Sequence, residues 1–168
     1  MNTIVSTINL LSEKVGKAAS WISTALVILI VIDVIFRYIF KDTSAWIIEL
    51  EWHFFAILFL LGGAYAFEED KHVRVDLFYS NFSERDKAWV NLLGTVLLLI
   101  PWCVAIVWFA GKYALLSFQV REGSPDPGGL PARYFIKSVI VLGFLLLTLQ
   151  AISVVLQSIL TLRHTQED

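Results

Sequence analysis

The chain has 168 residues, is 57% hydrophobic and has a mean hydropathy of +0.71. Apolar content at that level belongs to a protein solvated by lipid rather than to a water-soluble domain of this size. A net charge of −2 supplies no basic field for nucleic acid, and a lone cysteine, Cys103 in an apolar run, excludes an intrachain disulfide.

The N-terminus lacks a short apolar core followed by a small-residue cleavage site, so no removable signal peptide is expected. Ile4, Ile8, Leu11 and Val15 recur at helical spacing, with Ser12, Glu13 and Lys14 off the stripe. The spacing predicts a short amphipathic helix lying on the membrane, over about residues 3–16. The first span follows at about 18–40, since roughly 20 helical residues cross about 30 Å of hydrocarbon. Asp33 and Arg37 sit one helical turn apart inside it and can pair, which lowers the insertion cost of both. A structural or partner-binding ion pair is favoured there over a proton or ion site. Arg37 has the further option of snorkelling to the headgroups.

The second span, at about 46–67, begins with Trp46, Glu49, Glu51 and His53. The two glutamates are two residues apart, so on a helix they point in different directions and do not share one ion. His53 falls one turn after Glu49, and no third ligand joins them, so a hydrogen-bonded structural histidine is favoured over metal. The run ends in Glu68-Glu69-Asp70-Lys71 and His72-Val73-Arg74-Val75-Asp76. Val75, Phe78, Tyr79 and Phe82 then form a stripe that predicts a second interfacial helix at about 74–82. The competing reading is a strand, disfavoured because an unpaired strand at a bilayer surface leaves its backbone unsatisfied.

Ser83-Glu84-Arg85-Asp86 has the form of a capping box opening the third helix. The third span is placed at about 89–118, with Pro101 expected to kink it. The outer loop from Gly123 to Pro131 is dense in turn formers and lacks a phosphate-loop ending, so a rigid shaped turn is expected. Pro131 suits the first turn of the fourth helix, whose span is placed at about 134–162. Both of these spans are longer than the bilayer needs, so tilt or protrusion is expected. Gln150, Ser153, Gln157 and Thr161 make one polar stripe along the fourth span, which should face protein, either this chain's own or a partner's. Trp21, Trp46, Trp89 and Tyr134 fall near the predicted interfaces.

These readings define an all-α integral membrane fold: four tilted transmembrane helices with short interfacial amphipathic helices, in a single domain over residues 1–168. No ten-residue alternation suggests a barrel. With the N-terminus inside, seven Lys and Arg residues lie on the inner segments. Three lie outside, or six when Arg37, Lys112 and Lys137 at the helix ends are counted. The bias places both termini in the cytoplasm. No nucleophile–base pattern or nucleotide-binding glycine motif occurs, so no enzyme and no cofactor are expected. Haem is disfavoured because His53 is the one histidine inside a span, whereas bis-histidine ligation needs two on facing helices.

Several fragments taken in order resemble the small membrane subunit (DctQ-like) of tripartite ATP-independent periplasmic (TRAP) transporters. They are Arg37-Tyr38-Ile39-Phe40 and Trp46 with Glu49-Leu50, then Gly62-Gly63-Ala64 and His72-Val73-Arg74-Val75-Asp76. Gly128-Gly129-Leu130-Pro131 with Lys137-Ser138 resembles the branch associated with mannitol or chloroaromatic compounds. The resemblance implies a bacterial inner-membrane protein with four spans and cytoplasmic termini. It implies two protein partners: a large subunit carrying a sodium-coupled, elevator-type path, and a periplasmic binding protein that delivers a solute, often an organic acid. The small subunit would act as an accessory scaffold that also helps to receive the binding protein. Arg37, Trp46, Glu49, His72 and Asp76 carry over as family-pattern positions with structural or partner-interface roles. Gln150, Ser153 and Gln157 join them as candidates from the polar stripe alone. Asp33, Glu51 and His53 receive no family role. The competing reading is a self-contained homodimeric, proton-coupled four-span carrier, which would need Asp33 as its membrane carboxylate.

Overall fold

In the computed structural model, residues 2–69, 79 and 81–164 are described. Four long helices hold most of them. Helix α1 (Asn2–Ile35) runs into a π turn at Phe36–Phe40. Lys41 stops it by turning left-handed (φ 55°), with its N–H bonded to the Phe36 carbonyl. Helix α2 covers Ala45–Glu68, α3 covers Glu84–Gln119 with a π turn at Thr95–Leu99, and α4 covers Tyr134–His164. All four are long and apolar enough to cross a membrane, and an even number of crossings returns both termini to one face. The chain is an all-α, multi-pass membrane protein.

Helix α1 differs from the expectation of a separate interfacial helix. It is continuous from Asn2 onward, because no proline interrupts it and Gly16 is needed where it stands: a Cβ there would collide with Tyr65 of α2. The stretch Thr3–Phe40 holds 38 residues, or about 57 Å of helix against about 30 Å of hydrocarbon. Its N-terminal turns therefore extend beyond the membrane core. The face that packs is not the apolar stripe. Ile4 and Leu11 are exposed, while Ser12 and Ala19 are each 2% exposed. The predicted helix at 74–82 lies outside the described residues, apart from Tyr79, Asn81 and Phe82.

The capping signal of α3 is realised: the Ser83 hydroxyl accepts from the Asp86 N–H at 3.2 Å. Helix α4 starts at Tyr134, later than Pro131 suggests, because Ala132 is left-handed (φ 63°) and interrupts the helical path. In α3 the π turn directly precedes Pro101. A wider turn there absorbs the hydrogen bond that proline cannot donate.

Helix α4 is central and packs against α1, α2 and α3. Helix α1 also packs against α2, whereas among the described residues α3 packs on α4 without comparable contact to α1 or α2. The helices thus form an open layer rather than a closed four-helix barrel. Its seams are small and polar. Ala64 is 1% exposed and Ala151 fully buried, and the largest fully buried side chains are Gln150, Cys103, Ser12 and Ser153. Large apolar groups such as Trp102, Trp108 and Phe59 point outward. Lipid tails solvate such groups as well as a protein core does, so helices associate through close backbone approach and hydrogen bonds instead.

The tightest polar seam joins the N-terminal part of α1 to α4. Ser12 donates to the Gln150 side-chain oxygen at 2.8 Å, and Asn9 accepts from Ser153 at 2.7 Å and from Gln150 at 3.2 Å. Replacing Gln150 by Leu removes two of these bonds and strands Ser12 in a buried seam. The expected cost is about 1–2 kcal/mol, read as a lower melting temperature of the purified protein in detergent.

Candidate functional site

The densest set of interactions lies at the membrane face opposite the termini, where the loop between α3 and α4 folds over the start of α2. Glu49, one turn into α2, is 3% exposed. Its carboxylate accepts from the Ser124 hydroxyl, from the Leu130 backbone N–H at 2.6 Å and from the Arg133 guanidinium at 3.3 Å. The loop is shaped for this approach. Gly128 is left-handed (φ 77°), and a Cβ on Gly129 would lie 2.9 Å from the Glu49 carboxylate and would run into Ser124. Leu130 N–H is thereby aimed at Glu49, and Ser124 N–H closes the loop onto the Leu130 carbonyl at 3.0 Å.

A second ion pair stands beside the first. Lys137 donates to Glu122, and its ammonium lies 3.8 Å from the centre of the Tyr113 ring. Arg133 sits 5.9 Å from the centre of the Trp52 ring. The two pairs tie α2, α3 and α4 together through their outer ends. Glu122, in the loop outside the spans, is held below the ordinary carboxylate range, first by the hydrogen bond from Lys137. A lowered folded value stabilises the loop fully above the ordinary glutamate value, about 4.3, and that contribution is lost as pH falls through the lowered value. In thermal melts, wild type is expected to exceed Glu122→Gln in melting temperature near pH 7. The gap should close as the medium turns acidic. Parallel curves across the range would show that the pair contributes nothing.

Inside the first span, Arg37 pairs with Asp33, whose side chain is 3% exposed. Glu51, on a different side of α2 from Glu49, lies within the electrostatic reach of both. One oxygen of Asp33 and one of Glu51 are buried without a hydrogen-bond partner. His53 is buried and its Nδ1–H donates at 2.5 Å to the Glu49 backbone carbonyl, so it caps the turn that carries Glu49 and does not touch the carboxylate. Among the described residues no three His, Cys, Asp or Glu converge as a metal site would require.

The candidates named from sequence are therefore dispersed. Glu49 is at the outer loop, and Trp46, 46% exposed, faces outward one turn before it. Asp33 and Arg37 lie in the first span. Gln150 and Ser153 are buried against α1, whereas Gln157 turns to a 370 Å³ polar cleft with Glu68, Lys87 and Thr161. His72 and Asp76 lie outside the described residues. Reading the sequence missed Ser124 and Arg133 as partners of Glu49, and the pair of Glu122 with Lys137. The legible hint was Arg133 and Lys137 at i,i+4 opening an otherwise apolar helix.

Four spanning helices thus form an open layer in which Asp33, Glu49 and Glu122 each pair with a basic side chain. The family model for the DctQ component of tripartite ATP-independent periplasmic transporters matches residues 8–161. The chain belongs to that family and is the small membrane subunit of a TRAP transporter, a component that works with a large membrane subunit and a periplasmic binding protein. No curated protein matches the chain.

Proposed function

We propose that the chain is the fixed scaffold of a sodium-coupled uptake system for small organic acids or related solutes. It supports the large transport subunit and helps to dock the periplasmic binding protein. It lies in the bacterial inner membrane with both termini cytoplasmic, as the Lys and Arg bias of its loops favours. The face carrying Glu49 and the loop Gly123–Arg133 is then periplasmic, where the binding protein arrives. Arg37, Trp46, His72 and Asp76 serve contacts with partners or the geometry of the ends.

The observation that supports this reading is the open layer. Helix α3 joins the rest through α4, and among the described residues Asp33, Glu49 and Glu122 each bond a basic side chain near the same end of the layer. A carrier needs a site that alternates between two faces. In proteoliposomes with a sodium gradient, solute uptake is expected with the large subunit, the binding protein and this chain together. The chain alone should give none. Robust uptake by the isolated chain would overturn the scaffold reading, and loss of that uptake in Asp33→Asn would establish the proton-coupled carrier in its place.

A further inference from the structure

A cavity of about 510 Å³ opens on the outward side of the α2–α4 seam, just below the outer ion pairs. Trp52, Phe55 and Phe59 of α2 and Ile140 of α4 form its walls, and Arg133 and Lys137 stand at its mouth. Its size is within the range of small-molecule pockets, about 300–1,000 Å³. The lining residues of α2 run from Trp52 to Leu60, about 12 Å of helix rise. That approaches the depth of one leaflet, about half of the 30 Å hydrocarbon core. The groove therefore starts at headgroup level and descends along the direction of an acyl chain.

The mouth carries two cations, Arg133 and Lys137, and two anions, Glu49 and Glu122, that pair with them. Its net charge is zero, yet donors remain. Arg133 keeps part of its guanidinium at the surface, its side chain being 27% exposed, and Lys137 uses one donor on Glu122 while its ammonium leans over Tyr113. A phosphate satisfies such donors. A neutral mouth with a carboxylate at its rim favours a headgroup that brings its own positive charge. The walls are mostly bulky rings, with Ala56 the small residue of α2 among them, whereas Gly62, Gly63 and Ala66, which would admit a neighbouring helix, line the adjoining groove beyond Phe59 and Leu60. A flexible chain fits the ring-lined groove better than a helix does.

We propose that this groove holds one acyl chain of a zwitterionic glycerophospholipid from the leaflet opposite the termini. Arg133 and Lys137 donate to its phosphate, and its ammonium faces Glu122. The site rests on membrane insertion alone and stands or falls apart from the scaffold reading. Bound lipid at this point covers the outer α2–α4 seam.

The test is native mass spectrometry of the full-length chain, purified in mild detergent and offered phosphatidylethanolamine or phosphatidylglycerol. Wild type is expected to retain one phosphatidylethanolamine and to prefer it to phosphatidylglycerol. Ala56→Phe fills the groove without touching a charge, and Lys137→Gln removes a phosphate donor. Each is expected to lower retention by about tenfold, the worth of one charge-assisted hydrogen bond or a comparable loss of apolar contact. Lys137→Arg is expected to restore it. The groove-filling variants, Ala56→Phe and Ile140→Trp, are compared at a lipid-free melting temperature that matches wild type, and Lys137→Gln, which also loses its pair with Glu122, is compared well below its own melting temperature. Unchanged retention in the groove-filling variants overturns the site, and equal retention of phosphatidylglycerol overturns the zwitterionic headgroup. Cross-linking of Ala56→Cys to a co-expressed large subunit would place a partner helix in the groove and overturn the lipid.

Discussion

Replacing Glu49 by Ala is expected to release the loop Gly123–Arg133 from α2 while leaving the four helices in place. The carboxylate accepts from Ser124, Leu130 and Arg133, and no neighbouring acceptor is positioned to take over all three. Arg133 would then be left beside Trp52 without its counter-ion, which is costly in a largely buried position. Backbone amides of the loop should exchange hydrogen on the order of a hundredfold faster, the equivalent of losing charge-assisted bonds. Helical content by circular dichroism should hardly change. Glu49→Gln should be intermediate, because one amide oxygen still accepts but the charge is gone. Gly129→Ala should mimic it from the other side, since its Cβ occupies the space that the carboxylate needs. In the assembled transporter the same variants are expected to lose uptake if the loop receives the binding protein. Unchanged loop exchange in Glu49→Ala would remove Glu49 from its proposed role as organiser of this face.

Gly143→Val should be the most damaging single change within the membrane. A Cβ at this position would stand 2.8 Å from the Leu60 backbone carbonyl oxygen and 3.0 Å from the Leu60 Cβ. Backbone does not turn aside as a flexible side chain does, so α2 and α4 must separate. Overpacking of this kind costs about 3 kcal/mol, the upper end of the usual range. Helix α4 also carries the contacts to α1 and α3, so the shift should propagate to the Ser12–Gln150 seam. The expected readouts are a melting temperature well below wild type and poor recovery with the large subunit. Gly62→Ala is the control: a Cβ there meets nothing within 4 Å, and stability should stay unchanged. A stable Gly143→Val protein would show that the seam is looser than its geometry indicates.

Much of the architecture was legible along the chain because hydrocarbon imposes a simple rule. Backbone polar groups must be satisfied within each crossing segment, so length and hydropathy alone place four helices. The same reasoning placed Asp33 beside Arg37, since a one-turn spacing is a local property of a helix. It also separated Glu49 from Glu51, and the structure directs one to the outer loop and the other toward the first span. The Ser83 cap was legible for the same local reason.

Tertiary partners were not legible. The polar stripe on α4 left open whether it met its own chain or another. Gln150 and Ser153 meet Asn9 and Ser12, which belong to a segment that sequence assigned to the membrane surface. That segment runs into the first span as one continuous helix, and its Asn9 and Ser12 side chains pack on α4. Likewise the Gly128-Gly129 pair read as a turn: Gly128 needs glycine for its left-handed φ of 77°, and Gly129 for the close approach of Glu49, about eighty residues earlier.

The sequence by itself determined the number of spans, the membrane class, the local ion pair and the membership suggested by its ordered motifs, because each depends on composition or on spacing within one helix. Only the tertiary structure decided that the helices make an open layer around α4, that Glu49 holds the α3–α4 loop, and that Arg133 and Lys137 stand at the mouth of an apolar groove. Those facts depend on which faces meet, and in a chain whose outward and inward residues are both apolar, hydropathy does not distinguish the faces.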